Sequence, residues 1–468
     1  MKKGFTLIEL LAVIVILAII LVIAVPKVIS VIGNAKQSAI DSEAGLIAGK
    51  LKLERDVNAV DVTTLSLSDL DEYEIDSSKY DSFLAEEVNG KIVVTISRDD
   101  LIGTNGIQDG EPVAAIYGVR FENSSTGTRT DDAVGMTYSD PEASNIITSD
   151  FDTAEIYSEM TEETDSYGNV FIKIPKFYIK KTKNTGNIWT YQISKTKVDS
   201  DYYLPACFVD EASNTVLPYI LVGKYNANLN GTKLESKTGT VPFFTYDIQD
   251  IQGIATFRTA ARANGAGYQL LDIHTWDVLQ TLFYVEFATL DSQSIMAGYT
   301  ASTNGTFLNN GTADSIPKTG SPTSNTSGTY AMKYRGIENL YGNILQFVDG
   351  INIQNNVAYV SKDASTYASD TFSGSYERVG YTNNNEDGWV TEMGYDVNHP
   401  YVNLPTSITE TGTSIYSDKY FQASGNRIAR VGGDWATSSN AGVSYWYLYN
   451  YSSYASAHVG SRLLKTPL

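Results

Sequence analysis

The chain of 468 residues contains a single cysteine, Cys207, so no disulfide can form within it. Basic residues are also scarce, because 34 Lys and Arg stand against 54 Asp and Glu, for a net charge of -20. A surface with that charge repels phosphates, which argues against nucleic acid as a partner. Stability must come from packing, and 42% hydrophobic residues suffice for a sizeable core. We expect Cys207 to be buried and unreactive.

Charged residues are missing altogether from one stretch near the C-terminus. Between Trp435 and Arg462 there is no Lys, Arg, Asp, Glu, Gln or Met, although 19% of the chain is charged. Aromatic side chains alternate there with small polar residues, at Tyr445, Tyr447, Tyr449, Tyr451 and Tyr454. This composition is typical of antibody paratopes, in which Tyr supplies contact area and Ser and Asn supply adaptable hydrogen bonds. A Tyr-rich pair of strands in an all-β domain would explain the composition equally well.

The residues that frame this stretch point to a known family. Arg430-Val431-Gly432-Gly433 leads into Trp435, Ala441-Gly442 lies inside the stretch, and Gly460-Ser461-Arg462-Leu463 closes it. The frame resembles the C-terminal variable region of proteins diversified by diversity-generating retroelements, which carry a C-type-lectin fold of the formylglycine-generating-enzyme type. In that family adenines of a template copy are randomised, often in AAC or AAT codons. Such codons can yield Asn, Ser, Tyr, His, Asp, Ala, Thr, Gly or Val, but never Lys, Glu, Gln, Met or Trp.

The resemblance accounts for the missing residue types and implies a role for each position. Trp446 cannot arise from such a codon and should not vary. The varied, ligand-binding positions would be Asp434, Ala436, Thr437, Ser439, Ser444, Tyr447, Tyr449, Tyr451, Tyr454, Ser456 and His458. The scaffold positions would be Trp435, Gly432, Gly433, Gly442, Gly460 and Arg462, with Arg462 paired to a core acid or carbonyl. The family's enzymes use a cysteine pair that this chain cannot supply, so we expect no enzyme, no cofactor and no metal site.

The first 25 residues contain a long apolar run with one acidic side chain. Phe5 to Val25 is long enough to span a bilayer as a helix. Insertion of a carboxylate such as that of Glu9 costs about 2.5 to 3.5 kcal/mol near the centre of such a helix, so Glu9 needs a partner. The segment resembles the type III signal of type IV pilins and pseudopilins. By that resemblance a prepilin peptidase cuts between Gly4 and Phe5, Phe5 becomes N-methylated, and Glu9 neutralises the terminal amine of a neighbouring subunit. A plain membrane anchor would explain the apolar run but not Glu9.

Periodicity and turn signals give the expected order of domains. After the leader at residues 1–4, apolar residues at helical spacing predict one pilin helix over residues 5–57, with the membrane span at 5–25. Residues 58–106 should form a small β head and a linker, with strands at Val60–Leu70 and Lys91–Ile96. Residues 107–468 should form the lectin-like domain, rich in β-strands and loops, with the variable region at 430–463. The predicted fold class is α+β.

Three stretches of the predicted lectin-like domain carry local expectations. His274 to Tyr284 is the best helix candidate, and His274 is expected to be packed or capping rather than a metal ligand. Residues 300–329 are rich in Ser, Thr, Asn and Gly and should form a long exposed loop. Leu340 to Gly350 resembles the Gly-Asn-Val-Trp-Glu-Trp core motif of the fold, so Gln346 and Asp349 should pack rather than catalyse.

These features together predict a receptor displayed at the cell surface or on a pilus. It would reside in the cytoplasmic or inner membrane before assembly, with the C-terminal domain extracellular. Its partners would be a protein or glycan ligand on another cell, virus or surface, other pilin subunits through the N-terminal helix, and prepilin peptidase. Two alternatives stay open: a pilus adhesin or glycan-binding lectin of fixed specificity, and a pseudopilin-type component of a secretion system.

Overall fold

The computed structural model describes residues 39–40, 43–58, 60–88, 91–98, 101–104, 114–199, 201–244, 253–411 and 414–467. These residues divide into two compact units, a smaller one within Met1–Ala114 and Thr196–Tyr202 and a larger one within Ala115–Lys195 and Tyr203–Leu468. Strands outnumber helices in the larger unit, which confirms the richness in β structure predicted for that part of the chain. The leader, the expected membrane span and Gly4, Phe5 and Glu9 lie outside the described residues. Within those residues, no helix is both long and apolar enough to cross a membrane.

The smaller unit packs one helix on a three-stranded antiparallel sheet. The helix, α1, covers residues 39–40 and 43–58, and the strands are β1 (Ser82–Val88), β2 (Lys91–Arg98) and β3 (Leu101–Thr104). Its buried residues recur at spacings of three and four, which places them on one helix face: Ile40, Ala44, Ile47, Ala48 and Leu51. That face forms a core with apolar residues of β1 and β2.

The strand predicted at Val60–Leu70 was wrong, because this stretch forms 3-10 helices. They cover Val62–Thr64 and Leu67–Tyr73, and a third follows at Ser77–Lys79. Side-chain oxygens cap these turns: Asp61 accepts from the Thr63 N–H at 3.1 Å, and Asp69 accepts from the Ser66 N–H at 2.6 Å. Such local bonds compete with a strand ladder. The strand predicted at Lys91–Ile96 is confirmed as β2, and its partner is β1.

The larger unit contains most of the strands and two α-helices. The helices are α2 (Gly253–Arg262) and α3 (Ile273–Phe287), and short 3-10 helices cover Asp150–Asp152, Ala206–Phe208, Ser292–Ser294, Ala364–Thr366 and Ser438–Asn440. The strands are β4 (Ile116–Glu122), β5 (Thr128–Asp131), β6 (Thr161–Thr164), β7 (Val170–Pro175), β8 (Tyr178–Asn184), β9 (Ile188–Ser194), β10 (Val209–Asp210), β11 (Thr215–Val216), β12 (Tyr219–Gly223), β13 (Asn228–Asn230), β14 (Lys233–Glu235), β15 (Tyr268–Leu270), β16 (Lys333–Tyr334), β17 (Ile337–Glu338), β18 (Leu345–Gln354), β19 (Val357–Val360), β20 (Glu377–Arg378), β21 (Gly388–Met393), β22 (Pro405–Thr409), β23 (Lys419–Gln422), β24 (Asn426–Gly432), β25 (Gly442–Leu448), β26 (Val459–Gly460) and β27 (Leu463–Lys465).

Three sheets organise these strands. One has the order β5-β4-β9-β8, a second has the order β15-β27-β12-β7-β6, and the largest has the order β20-β19-β18-β24-β25-β23-β21-β22 with β26 paired to β18. Most neighbours are antiparallel, but β23 runs parallel to β25 and β26 runs parallel to β18. The pairs β10-β11, β13-β14 and β16-β17 form two-stranded ribbons. Strand β25, which carries much of the Tyr-rich stretch, therefore lies inside the largest sheet rather than at its edge.

Helix α3 is the centre of the larger unit. All of its residues are buried, and it packs on β4, β9 and β18. The helix starts where the Asp272 carboxylate accepts from the Thr275 N–H at 2.7 Å, and it ends at Ala288, whose φ of 50° is left-handed. The helix predicted at 274–284 is confirmed. His274 is packed as expected, with its Nε2 3.0 Å from the Ser361 carbonyl.

Several other local expectations are met by the core. Arg462 is fully buried and donates to the carbonyls of Gly223, Lys224, Glu338 and Asn339 at 2.7 to 3.0 Å, so its predicted pairing is confirmed. Its Nε donates to Gln346 at 3.0 Å, and Asp349 accepts from Arg258 at 2.7 Å, as packing roles require. Cys207 is buried, and burial raises the pKa of its thiol.

The expectation of an exposed loop at 300–329 was only half right. The stretch has no helix or strand among its described residues, yet Ala313, Ile316 and Asn325 are buried. Its amides find protein partners, since Asn325 donates to the Pro141 carbonyl at 3.0 Å. The Glu338 carboxylate accepts from the Ala313 N–H at 2.8 Å. Polar side chains that replace water as hydrogen-bond partners allow an irregular segment to be buried.

Candidate ligand-binding site

Strand β25 is anchored by contacts on its inner face, away from the surface tyrosines. Gln280 of α3 donates to the Val443 carbonyl at 2.8 Å, and the hydroxyls of Tyr284 and Ser444 lie 2.5 Å apart. The Asp418 carboxylate accepts from the Ser444 N–H at 2.6 Å. These contacts use buried groups alone, so they fix the position of the strand independently of the outer side chains.

Glycine is required where β25 begins. Gly442 has a φ of 155°, and a Cβ at this residue would lie 2.3 Å from Ser292 Oγ and 2.4 Å from Asp418 Oδ1. Any larger residue would push the strand away from the side chains that hold it. The geometry agrees with the scaffold role expected for Gly442.

Four tyrosines form a surface that we call the tyrosine patch: Tyr447, Tyr449, Tyr451 and Tyr454. The neighbouring side chains Trp446 and Leu448 point into the core with 1% and 0% exposure. Tyr447 is half-buried, whereas Tyr449 and Tyr451 expose 47% and 62% of their surface. The alternation of side chains along a strand therefore separates core residues from surface tyrosines.

The rings of the patch are held by one another and by a neighbouring strand. The ring centroids of Tyr447 and Tyr449 lie 6.0 Å apart, and Phe421 of β23 lies 5.1 Å from Tyr447. Tilted contacts at this separation are favourable and limit the rotamers that each ring adopts. Burial raises the pKa of the Tyr447 hydroxyl, so it stays neutral at physiological pH and can both donate and accept hydrogen bonds.

Two arginines lie beneath the tyrosine patch. The guanidinium of Arg430 is 4.6 Å from the ring centre of Tyr447 and 5.1 Å from that of Tyr454. Arg427 approaches Tyr451 to 4.1 Å in the same way. These distances are those of cation–π contacts. Arg430 is 1% exposed, and burial lowers its pKa to about 10.

The turn that carries Tyr451 and Tyr454 rests on the first turn of α2. The Tyr454 N–H donates to the Tyr451 carbonyl at 3.0 Å, and the Ser452 carbonyl accepts from the Ile254 N–H at 3.2 Å. A Cβ at Gly253 would lie 1.8 Å from the Ser452 oxygen, so this close approach requires glycine. The patch thus receives support from both the large sheet and α2.

The other predicted positions form a second group around Asp434 and His458. Asp434 Oδ2 lies 2.7 Å from His458 Nδ1, and the other oxygen accepts from the Ala436 N–H at 2.9 Å and the Thr437 hydroxyl at 2.8 Å. Trp435 stacks on the His458 ring with centroids 4.5 Å apart. The hydrogen bond to Asp434 raises the pKa of His458.

The structure places the remaining predicted residues unevenly. Ala436 and Ser439 are exposed, and Thr437, Ser456 and His458 are half-buried. Ser444 is fully buried against Tyr284 and does not reach the surface, because it lies on the inner face of β25. Sequence reasoning did not assign Phe421, Arg427 or Arg430 to the site. Arg430 belongs to the segment that precedes the Tyr-rich stretch, so its position in the sequence was a usable signal. No sequence pattern indicated Phe421.

A cavity of about 340 Å³ among the described residues is lined by none of the predicted site residues. Its walls include Cys207, Asp272 and Tyr367, and burial raises the pKa of the Asp272 carboxyl to about 6. Within the described ranges, no group of three or more His, Cys, Asp or Glu side chains is placed to hold a metal ion. The tyrosine patch is therefore the surface where the predicted binding residues and the observed geometry coincide.

Comparison with known families identifies the N-terminal segment. Residues 1–25 match the family model described as Prokaryotic N-terminal methylation motif. The chain therefore carries a prepilin-type N-terminus, which indicates a membrane-anchored protein that undergoes prepilin processing and pilin assembly. Comparison with curated proteins gives no match.

Similar solved structures include several variants of one protein. The U1 variant of Major Tropism Determinant is 14% identical, with 83% of this chain and 80% of that chain covered and a TM-score of 0.24. The M1 variant is 13% identical over 84% and 82% of the two chains, with a TM-score of 0.25. The I1 variant is 13% identical over 83% and 80%, with a TM-score of 0.27.

Proposed function

We propose that the chain is a surface-displayed receptor that binds ligands non-covalently through its tyrosine patch. A pilin segment holds it in the membrane and then in a pilus, and a C-type-lectin-like domain presents the variable region. The observation that supports this most is the separation of buried and surface side chains within residues 444–454. Ser444, Trp446 and Leu448 are buried, while the tyrosines expected to vary lie at or near the surface.

The patch has the physical properties of a recognition surface. Tyrosine gives a large contact area at a low cost in conformational entropy, and its hydroxyl adds directional hydrogen bonds. The contacts with Phe421, Arg427 and Arg430 hold the rings in place before a ligand arrives. Preorganisation of this kind favours affinity because fewer rotamers are lost on binding. The ligand would be a protein or a glycan on another cell, virus or surface.

We propose further that retroelement mutagenesis diversifies this surface. Substitutions at exposed positions such as Tyr449, Tyr451 and Ser439 would change the ligand without touching the core. Ser444 would tolerate only small residues, because Tyr284 and Asp418 occupy the space around it. Diversity should therefore be concentrated in the tyrosine patch and in the exposed residues next to Asp434.

Sequencing of codons 430–463 across a population of source cells, with a search for a near-copy beside the gene, tests the diversification. Substitutions confined to adenine-derived codons among 434–458, with Trp435 and Trp446 unchanged, are the expected result. A uniform sequence without a near-copy would contradict it. The exposed tyrosines would then belong to a pilus adhesin or glycan-binding lectin of fixed specificity.

For the N-terminal segment, we propose prepilin processing and assembly into a filament. Prepilin peptidase would cut between Gly4 and Phe5, and Glu9 would neutralise the N-terminal amine of the next subunit in the filament. Intact-mass measurement of the purified protein should give a chain that begins at a methylated Phe5. Glu9→Ala should leave the protein in the membrane but outside filaments, and normal filaments of this variant would remove the assembly role of Glu9.

A further inference from the structure

Three buried arginines of the larger unit have a hydrogen-bond partner for each nitrogen of the guanidinium group. Both oxygens of Asp349 accept from Arg258 at 2.7 Å. Arg335 donates to both carboxylate oxygens of Glu286, at 2.9 and 2.5 Å. Arg462 donates to four carbonyls and one side-chain amide. These pairings follow the rule that a buried charge must be compensated by hydrogen bonds or by an opposite charge.

The two arginines beneath the tyrosine patch satisfy that rule only in part, because each makes a single hydrogen bond through one nitrogen. Arg430 donates from Nη2 to the Asn450 side chain, and Arg427 donates from Nη1 to the Asn426 carbonyl at 2.9 Å. The Nε of each is buried without a hydrogen-bond partner. In the described part of the chain, neither forms an ion pair with a carboxylate.

The carboxylate whose charge acts on Arg430 already has other partners. The charge of Asp434 acts on Arg430, but its carboxylate accepts from His458, Thr437 and the Ala436 N–H. An unpaired guanidinium is costly to bury, and in a chain of net charge -20 acidic side chains are plentiful elsewhere. A patch that keeps two unpaired cations under its contact surface is electrostatically complementary to an acidic ligand.

We propose that the tyrosine patch recognises an Asp or Glu side chain of a partner protein, and that Arg430 binds its carboxylate. This inference rests on the proposed receptor function and names the chemistry of its ligand. The planar guanidinium offers a fork of N–H donors that fits a carboxylate. Tyr454 covers Arg430 from a turn and is 38% exposed, so the ring can turn aside for a side chain that enters next to Tyr447.

The surroundings of Arg430 favour a protein over other carriers of a carboxylate. Tyr, Ser and Asn dominate residues 444–456, which is the composition of surfaces that bind folded proteins. Arg427 under Tyr451 adds a second positive charge beside the first. The pair would draw an acidic surface toward the patch and fix its register.

The test uses the full-length protein in detergent micelles and a display library of a small helical scaffold with one randomised face. Binders that compete at the patch should be rich in Asp and Glu. Their affinity should fall about tenfold or more in Arg430→Gln and should weaken as salt is raised. Lys419→Gln serves as the control, because Lys419 is a cation near Phe421 that is not buried beneath the patch, and it should change affinity little.

Asn450→Asp keeps the test decisive even if Arg430→Gln unfolds. The new carboxylate would lie next to Arg430 Nη2 and compensate it from inside, so the variant should fold and yet lose the acidic binders. Binders that map to the tyrosines but carry no excess of acid, or that survive Asn450→Asp, would overturn the inference and leave the receptor function intact. Selective binding of uronic-acid glycans instead of acidic proteins would overturn the protein ligand. Absence of any binder at the patch would count against both this inference and the proposed receptor function.

Discussion

The hydroxyls of Tyr284 and Ser444 lie 2.5 Å apart in the core, where the central helix α3 meets strand β25. Ser444 is one residue of the predicted variable set, yet it has no exposed surface. The contact joins the most buried helix of the larger unit to the strand that leads into the tyrosine patch. The position of the patch therefore depends on a hydrogen bond that no ligand can reach.

Tyr284→Phe should lower the free energy of unfolding by about 1 to 3 kcal/mol, because the Ser444 hydroxyl loses a buried partner. Urea unfolding of the full chain in micelles, followed by Trp fluorescence, measures the change. Tyr449→Phe is the matched control, since its hydroxyl lies on a side chain that is 47% exposed. It should change stability by less than about 0.5 kcal/mol. Equal effects of the two substitutions would mean that the buried contact adds nothing.

Arg462→Met should prevent folding of the larger unit. It leaves four buried carbonyls without their donor, and we expect a loss of more than about 4 kcal/mol. Limited proteolysis and near-UV circular dichroism report the outcome. Arg378→Met removes an exposed arginine and should leave both signals unchanged. A folded Arg462→Met variant would show that the carbonyls find other partners.

Gly442→Ala should destabilise the larger unit by about 2 kcal/mol or more, because the added Cβ meets Ser292 and Asp418 at a left-handed φ. Gly49 offers the opposite case in α1 of the smaller unit, where a Cβ would meet nothing within 4 Å. Gly49→Ala should stabilise that helix by about 0.8 to 1 kcal/mol. Thermal unfolding of both variants measures the two effects, and a neutral Gly442→Ala would contradict the packing argument.

His458 should make stability depend on pH. Its pKa is raised above the ordinary value of 6.5 because Asp434 accepts its hydrogen bond, so the folded state holds the proton more tightly than the unfolded chain does. The stabilisation is therefore complete below pH 6.5 and disappears as the pH rises through the folded pKa. The Tm difference between wild type and His458→Gln, measured from about pH 5.5 to 8.5, should shrink with rising pH. A constant difference would exclude this coupling.

Replacement of both Tyr449 and Tyr451 by Ser should abolish binding of library-selected ligands while leaving the Tm within about 2 °C of wild type. Both side chains are exposed, and their hydroxyls make no hydrogen bond with described residues. Titration calorimetry and thermal unfolding separate the two effects. The substitutions Tyr447→Ser and Tyr445→Ser, at a half-buried and a buried ring, should cost stability as well.

Sequence reasoning succeeded where one local pattern dictates the environment. Helix α3 was predicted at residues 274–284, and the pairing of Arg462 with core carbonyls was implied by the resemblance of its surroundings to a known family. Strand β2 was predicted from the run Lys91–Ile96, which follows the turn signal Asn89-Gly90. In each of these cases propensity, pattern and packing all favour the same structure.

The failures share a different cause, which is contact with residues distant in sequence. Ser444 lies in the core, where its hydroxyl contacts that of Tyr284, a residue 160 positions away in the sequence. Residues 300–329 are partly buried because partners such as Pro141 and Glu338 satisfy their polar groups. Phe421 reaches the patch through a parallel pairing of β23 with β25, which no local signal announces. The 3-10 turns at Val62–Thr64 arise from the Asp61 side chain, whose capping outweighed the β propensity of the valines.

Strand β27 lies between β15 and β12, inside its sheet rather than at an edge, and it follows the Tyr-rich stretch in the chain. An insertion or deletion that shifts the reading frame within codons 436–458 would remove β27 and Arg462 together. Such a product would lack an interior strand of the sheet and the donor for four buried carbonyls, so we expect that it would not fold. The order of the chain thus makes folding of the larger unit depend on in-frame translation of codons 436–458.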